Sequence, residues 1–307
     1  MSARVISTPY GLPALELLRD LVSAVKAEDP MTPVTILVPN NIAGVVARRH
    51  LAHGLSDAHP GVAGVHVLTL ARLAEQIGAS ALAPRKPAAG AIVASAWRSV
   101  LDARTSVFTP VKDHPATIRA LVKAHRELRD LSSEGLDRVA TASPLSSDLV
   151  GLHLAVTAML RTDWYDPTDL LDAASRRLDT AGGAPTELGG VVLHLPQALS
   201  LAEARFGRVL AARAELTVIL GRTGVNRADR DVRRSLRRMG LPDDATKPEP
   251  GTATDVMHAS DSDDEVRCVV REVVSTLRNE PAHRIAILYA ATRPYARLLH
   301  EHLAAAG

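Results

Sequence analysis

Arg4-Val5-Ile6-Ser7-Thr8-Pro9-Tyr10-Gly11-Leu12 sets the reading of the whole chain. The pattern predicts a strand over Arg4–Thr8, a turn at Pro9-Tyr10-Gly11 and an amphipathic helix over Leu12–Val25. A strand, a glycine turn and a helix also form the frame of an ATP-binding P-loop, in which Gly-Lys-[Ser/Thr] starts the helix. There the lysine reaches the β- and γ-phosphates and the hydroxyl holds Mg²⁺. The chain has five lysines, Lys26, Lys86, Lys112, Lys123 and Lys247, preceded by Val25, Arg85, Val111, Val122 and Thr246. None follows a glycine, so the 307 residues contain no Walker A motif. The positions two before those lysines hold Ala24, Pro84, Pro110, Leu121 and Ala245, which excludes an acid-x-Lys nuclease triplet as well. No catalytic or nucleotide-binding residue is expected within the chain.

Working outward, further apolar runs repeat the theme. Pro33–Pro39, Val65–Leu70, Gly190–Leu195, Leu216–Leu220 and Arg284–Tyr289 are short and mostly β-branched. Their nearly continuous hydrophobicity is that of strands covered on both faces. Alternation with helical patterns predicts βαβ units and a parallel-sheet α/β fold. The stretch from about Ala88 to Asp179 breaks the rhythm. Helical periodicity runs over Ala91–Leu101, Pro115–Leu131, Ser146–Arg161 and Asp166–Leu178, with no strand between them. The expected organisation is therefore an α/β domain formed by 1–87 and 183–240, with an all-helical insertion at 88–182. Gly182-Gly183-Ala184-Pro185 would be the return link. A Pro-, Gly- and Asp-rich linker is expected at 241–254. The start of a second α/β domain follows at 255–307, with strands over Asp255–Ala259 and Arg284–Tyr289 and helices over Asp263–Leu277 and Arg293–Ala306. Such a short module predicts a domain that continues past Gly307.

Bulk properties narrow the classes. Hydrophobic residues make up 46% and aromatic residues 3%, so the core must be built from Ala, Val and Leu. With 36 basic against 34 acidic residues the chain is no polycation, and any nucleic-acid site must be local. The single Cys268 forms neither an internal disulfide nor a zinc cluster, and its apolar setting predicts a buried position. No apolar run approaches the roughly 20 residues of a membrane span, and no signal peptide is recognisable, so a cytoplasmic protein without membrane association is expected.

The order of parts resembles the N-terminal region of superfamily 1 helicase-like proteins. It is most similar to the AddB-type subunit of the bacterial AddAB helicase–nuclease and to related PD-(D/E)XK nuclease-family proteins. Thr8 to Leu15 occupies the P-loop position without its lysine. Val34 to Asn41, continuing to Ala47-Arg48-Arg49, looks like the second strand and its helix. Val67 to Ala74 resembles the segment where a threonine ends a strand near single-stranded DNA. His114–Thr117 through Glu127–Leu131 looks like the helical insertion of the family. Val191–Glu203 falls at the Walker B strand, which ends here in His194-Leu195-Pro196-Gln197 without a carboxylate. Asp261–Arg271, Arg284–Tyr289 and Pro294-Tyr295 resemble the start of the second helicase domain.

The resemblance implies an inactivated helicase core in a DNA end-processing nuclease subunit. Such a region would bind single-stranded or duplex-end DNA and dock an AddA-like motor helicase–nuclease subunit in double-strand break repair. An iron–sulfur cluster and Mg²⁺ would belong to a nuclease domain outside these residues, and no cofactor or metal is expected within them. The alternative is a protein-interaction scaffold that never touches nucleic acid.

The candidate DNA-binding residues are Asn40, Asn41, Arg48, Arg49, Thr69, Arg72, Arg119, Lys123 and Arg126. Strand ends and helix N-termini are where α/β sheets hold phosphates. Asn40 and Thr69 read equally as helix caps, and Arg48 and Arg49 as a solvated face. Arg119, Lys123 and Arg126 share one helical face, suited to a DNA backbone or simply to solvent. The arginine run from Arg227 to Arg238 suits DNA, a partner or solvent equally. The histidine pairs His50/His53 and His300/His302 lack a third metal ligand. Asp261, Asp263, Asp264 and Glu265 lack the spacing of a Ca²⁺ loop. Trp97 and Trp164 read as core anchors, and His194 as a packed residue.

Overall fold

The computed structural model describes residues 3–55, 61–180, 186–243 and 255–307. The return link predicted at 182–185 and most of the linker predicted at 241–254 lie outside the described residues. Two compact units, 1–250 and 251–307, divide the chain.

The first unit is an α/β structure on a parallel five-stranded sheet. The strands are β1 (Arg4–Pro9), β2 (Val34–Val38), β3 (Val65–Thr69), β6 (Gly190–His194) and β7 (Leu216–Arg222), in the order β1-β7-β6-β2-β3. All four ladders run parallel, with Pro9 opposite Arg222, His194 opposite Ile219 and Val38 opposite Thr69. Alternate residues of each strand feed opposite faces, as the pleat requires. On one face, Val34, Ile36, Val38, Val67, Val192 and Ile219 pack with helices α1 (Leu12–Val25) and α2 (Asn41–Ala52). On the other, Leu37, Val191, Leu193, Leu216, Val218 and Leu220 pack with α3 (Leu70–Gly78), α8 (Pro167–Thr180), α9 (Leu201–Arg213) and α10 (Arg230–Met239). The near-continuous apolarity of the strands follows from this double cover. At Gly11, φ is +90°, a conformation open to glycine that lets the chain leave β1 directly into α1.

Between β3 and β6 lie α3 to α8. Helices α4 (Gly90–Ala103), α5 (Pro115–Arg129) and α7 (Pro144–Leu160) enclose a core of their own around the fully buried Trp97. Two features here differ from the sequence expectation. A short helix α6 (Ser133–Ala140) follows the N-cap Ser132. A two-residue parallel ladder joins β4 (Lys86–Pro87), just before the stretch predicted to be strand-free, to β5 (Trp164–Tyr165) within it. Such a ladder is too short for periodicity to reveal. Helices α3 and α8 touch backbone to backbone, because a Cβ at Gly78 would lie 2.7 Å from the Ala174 amide nitrogen. The first residues of the predicted linker are anchored. Leu241 packs on the sheet core, and Asp243 accepts from Arg222 and Arg233.

The second unit contains α11 (Ser262–Thr276) and α12 (Tyr295–Ala306), packed through Val266, Val270 and Leu299. The two strands predicted here are not formed: 255–259 and 285–289 carry no ladder, and a 3-10 turn covers Ala282–Arg284. Ile287 packs on the helices, whereas Val256 and Leu288 are 91% and 93% exposed. A strand needs paired neighbours, and a both-faced apolar sequence alone does not supply them.

Candidate functional site

Because all five strands are parallel, their carboxyl ends share one edge, where α/β sheets hold ligands. The edge has two distinct regions. At β1, β7 and β6 it is filled by protein. Tyr10 follows β1 and lies across Gly221, where a Cβ would sit 2.3 Å from Tyr10 Cε1. Burial raises the Tyr10 phenol above its ordinary range, against a side-chain hydrogen bond from Gln197 and the charge of Arg222. Leu195 turns the end of β6 with φ +52°, costing about 1–2 kcal/mol for a residue with a Cβ. His194 before it is buried, its Nδ1 has no partner among the described residues, and burial lowers its pKa to about 4. The loop after β7 is pinned by the buried Asp229, which accepts from Thr223 N (2.9 Å), Thr223 Oγ1 (2.8 Å) and Gly224 N (3.2 Å). Lys26 is also committed: it is buried and donates to the carbonyls of Pro30 (3.0 Å) and Thr32 (2.5 Å).

At β2 and β3 the edge opens into a cleft of about 700 Å³. Two helices begin there. Asn40 caps α2 by accepting from Ala43 N at 2.9 Å, and Thr69 caps α3 by accepting from Arg72 N at 3.2 Å. Both caps predicted as one option are real, and each leaves a helix N-terminus at the cleft, a positive dipole end. Asn41, Arg48, Thr69 and Arg72 line it, opposite Pro87, Tyr165, Asp166 and Leu170. Arg48 donates to Val67 O at 2.9 Å, which holds its guanidinium against β3. Arg72 pairs with Glu75 at 2.5 Å. Four of the nine candidate residues thus converge. Asn40 stands beside them as a cap, and Arg49 lies outside the cleft lining.

The opposite wall was not legible as a site. Its carboxylate, Asp166, accepts from Arg129 Nε (2.5 Å) and Nη2 (3.0 Å), and Asp169 accepts from Arg129 (2.9 Å) and Arg85 (2.7 Å). Burial alone would raise the Asp166 carboxyl. The Arg129 hydrogen bonds and charge outweigh it and hold the group below the usual carboxylate range. Arg129, at the C-terminal end of α5, is mostly buried. Behind it, His125 and His153 face each other, Nδ1 to Nδ1 at 3.0 Å, with Trp97 edge-on to His125. Burial lowers both imidazoles to about 4. The one sequence signal for this wall was the run Trp164-Tyr165-Asp166-Pro167, an aromatic pair and a carboxylate ahead of a helix start.

Arg119, Lys123 and Arg126 lie on the exposed face of α5, outside the cleft lining; Lys123 is 3.9 Å from Glu127. In the arginine run, Arg233 pairs with Asp243, Arg234 with Asp231 and Arg238 with Asp130. Cys268 is half-buried rather than buried, because it sits on the flank of α11, beside Arg271 Nη2 at 3.2 Å. Asp261 caps α11 and His302 contacts Asp263 at 2.8 Å. Among the described residues no helix is long and apolar enough to cross a membrane.

No protein-family model matches the chain, and no curated protein matches its sequence.

Proposed function

We propose that this chain is a helicase-like region that binds single-stranded DNA without using ATP, within a DNA end-processing nuclease subunit. In this reading the β1 turn is a P-loop position whose nucleotide is replaced by Tyr10 and Gln197. The α4–α7 helices are an insertion in the sheet domain, 1–87 with 183–240, and 255–307 belongs to a second domain. A motor subunit would supply translocation. The observation that carries the proposal is the cleft at the ends of β2 and β3, where two helix N-termini, Asn41, Arg48 and Arg72 converge. Backbone dipoles and guanidinium groups are what a phosphodiester strand requires.

The test is fluorescence anisotropy with a labelled single-stranded oligonucleotide. Affinity should fall steeply with salt, because phosphate contacts release counterions. Arg72→Glu should weaken it about tenfold, the equivalent of roughly 1.4 kcal/mol. ATP with Mg²⁺ should change nothing. Tight Mg²⁺-dependent ATP binding, or an affinity indifferent to salt, overturns the reading. The pairing of Arg72 with Glu75 and the presence of Asp166 favour a second reading, a docking scaffold with no nucleic-acid contact. It would be supported by loss of a partner subunit, rather than of DNA, in Arg72→Glu.

A further inference from the structure

The outer face of α1 and α2 carries a pattern that the cleft does not use. In α2 the buried line is Gly44, Ala47 and Leu51. At 100° per residue, Ile42, Val46, Arg49 and His53 fall on the opposite line, and all four are exposed. In α1 the buried line is Ala14, Leu18 and Val22, and Leu12, Glu16 and Asp20 point away from it. Both helices leave the carboxyl edge of the sheet and return along the same face, so they run parallel. His50 of α2 feels the charges of Arg19 and Glu16 across the groove between them. On this face each helix begins apolar and turns charged further along, α1 with Glu16, Arg19 and Asp20 and α2 with Arg49 and His53.

The apolar end is open to solvent. Leu12 is 59% exposed, Ile42 79%, Val45 42% and Val46 45%. Among the described residues no salt bridge involves Glu16, Asp20 or Arg49. One occupant satisfies both halves of the pattern, a second copy of the same face. A two-fold axis along the groove lays α1 of one copy over α2 of the other, in the same direction. Leu12 then meets Ile42, Glu16 lies level with Val46, and Asp20 meets Arg49, twice by symmetry. We propose that the α1–α2 face is an isologous homodimer interface.

Helices of 14 and 12 residues are about 20 Å long and stand about 10 Å apart. The face they offer is on the order of 400 Å² per partner, below the roughly 800 Å² of a standard interface, so the dimer is weak. Sedimentation velocity of the whole chain from about 1 to 200 μM should show a concentration-dependent dimer. Ile42→Asp should raise its dissociation constant at least tenfold, with the thermal melt checking that the fold is kept. Asp20→Arg and Arg49→Glu should each weaken the dimer, and together restore it, which a folding defect would not do. Arg72→Glu, in the cleft, should leave it unchanged. A monomer throughout the range, a dimer indifferent to Ile42→Asp, or failure of the paired charge reversal overturns the proposal.

Discussion

The Tyr10 ring lies across Gly221 so closely that a methyl group at position 221 would fall 2.3 Å from Tyr10 Cε1. The turn after β1 and the end of β7 are thereby packed against each other, where a nucleotide-binding sheet leaves room for phosphate. Gly221→Ala must displace the ring, at a cost of about 1–3 kcal/mol as overpacking. Chemical denaturation should register that loss, and Tyr10→Ala in the same chain should recover part of it. Equal losses with and without Tyr10 would place the strain elsewhere.

Asp166→Asn leaves Arg129 mostly buried with its bidentate partner removed, and Asp169 as its remaining carboxylate. Breaking one side of such a pair costs about 3–5 kcal/mol. The expected readout is a lower urea midpoint at unchanged m-value. An unchanged midpoint would mean that the network adds nothing to stability.

The buried histidines give the fold a pH dependence of known sign. Their folded values of about 4 lie below the ordinary 6.5, so the unfolded chain binds more protons between those limits. Stability is complete above about pH 6.5 and is lost as pH falls toward 4, by up to about 3 kcal/mol per imidazole. Asp166, with its depressed carboxyl, adds a loss of the same sign at lower pH. Melting temperatures measured across pH 4–7 should fall with acid, and His153→Leu should flatten the profile. A profile as steep in the variant would assign the effect to other groups.

Glu75 neutralises Arg72 at the mouth of the cleft. On the proposed DNA-binding reading, Glu75→Gln should release the guanidinium and strengthen oligonucleotide binding about three- to fivefold at low salt, with the gain shrinking as salt screens it. Weaker binding in this variant would exclude Arg72 as a phosphate contact.

The sheet was legible because its strands are covered on both faces, which writes a continuous apolar run into Val34–Val38, Gly190–His194 and Leu216–Arg222. The caps Asn40 and Thr69 were legible because capping is local. The far wall of the cleft was not. Arg129 finds Asp166 and Asp169 37 and 40 residues away, and no periodicity encodes such a meeting. The same limit misread Arg284–Tyr289, whose sequence is that of a strand but which has no ladder. Side-chain type singled out Asn41, Arg48, Thr69 and Arg72 together with Arg119, Lys123 and Arg126, and only the fold places the first four around one cleft and the other three outside its lining.

Gly78 has a mechanical consequence. Helix α3 carries Thr69, its cap, and Arg72 on one wall of the cleft, and α8 carries Leu170 on the other, just after Asp166. Because Gly78 has no side chain, α3 approaches α8 as closely as the Ala174 backbone, and that contact fixes how far apart the helices stand. Whatever the cleft admits must fit a width that this contact helps to set.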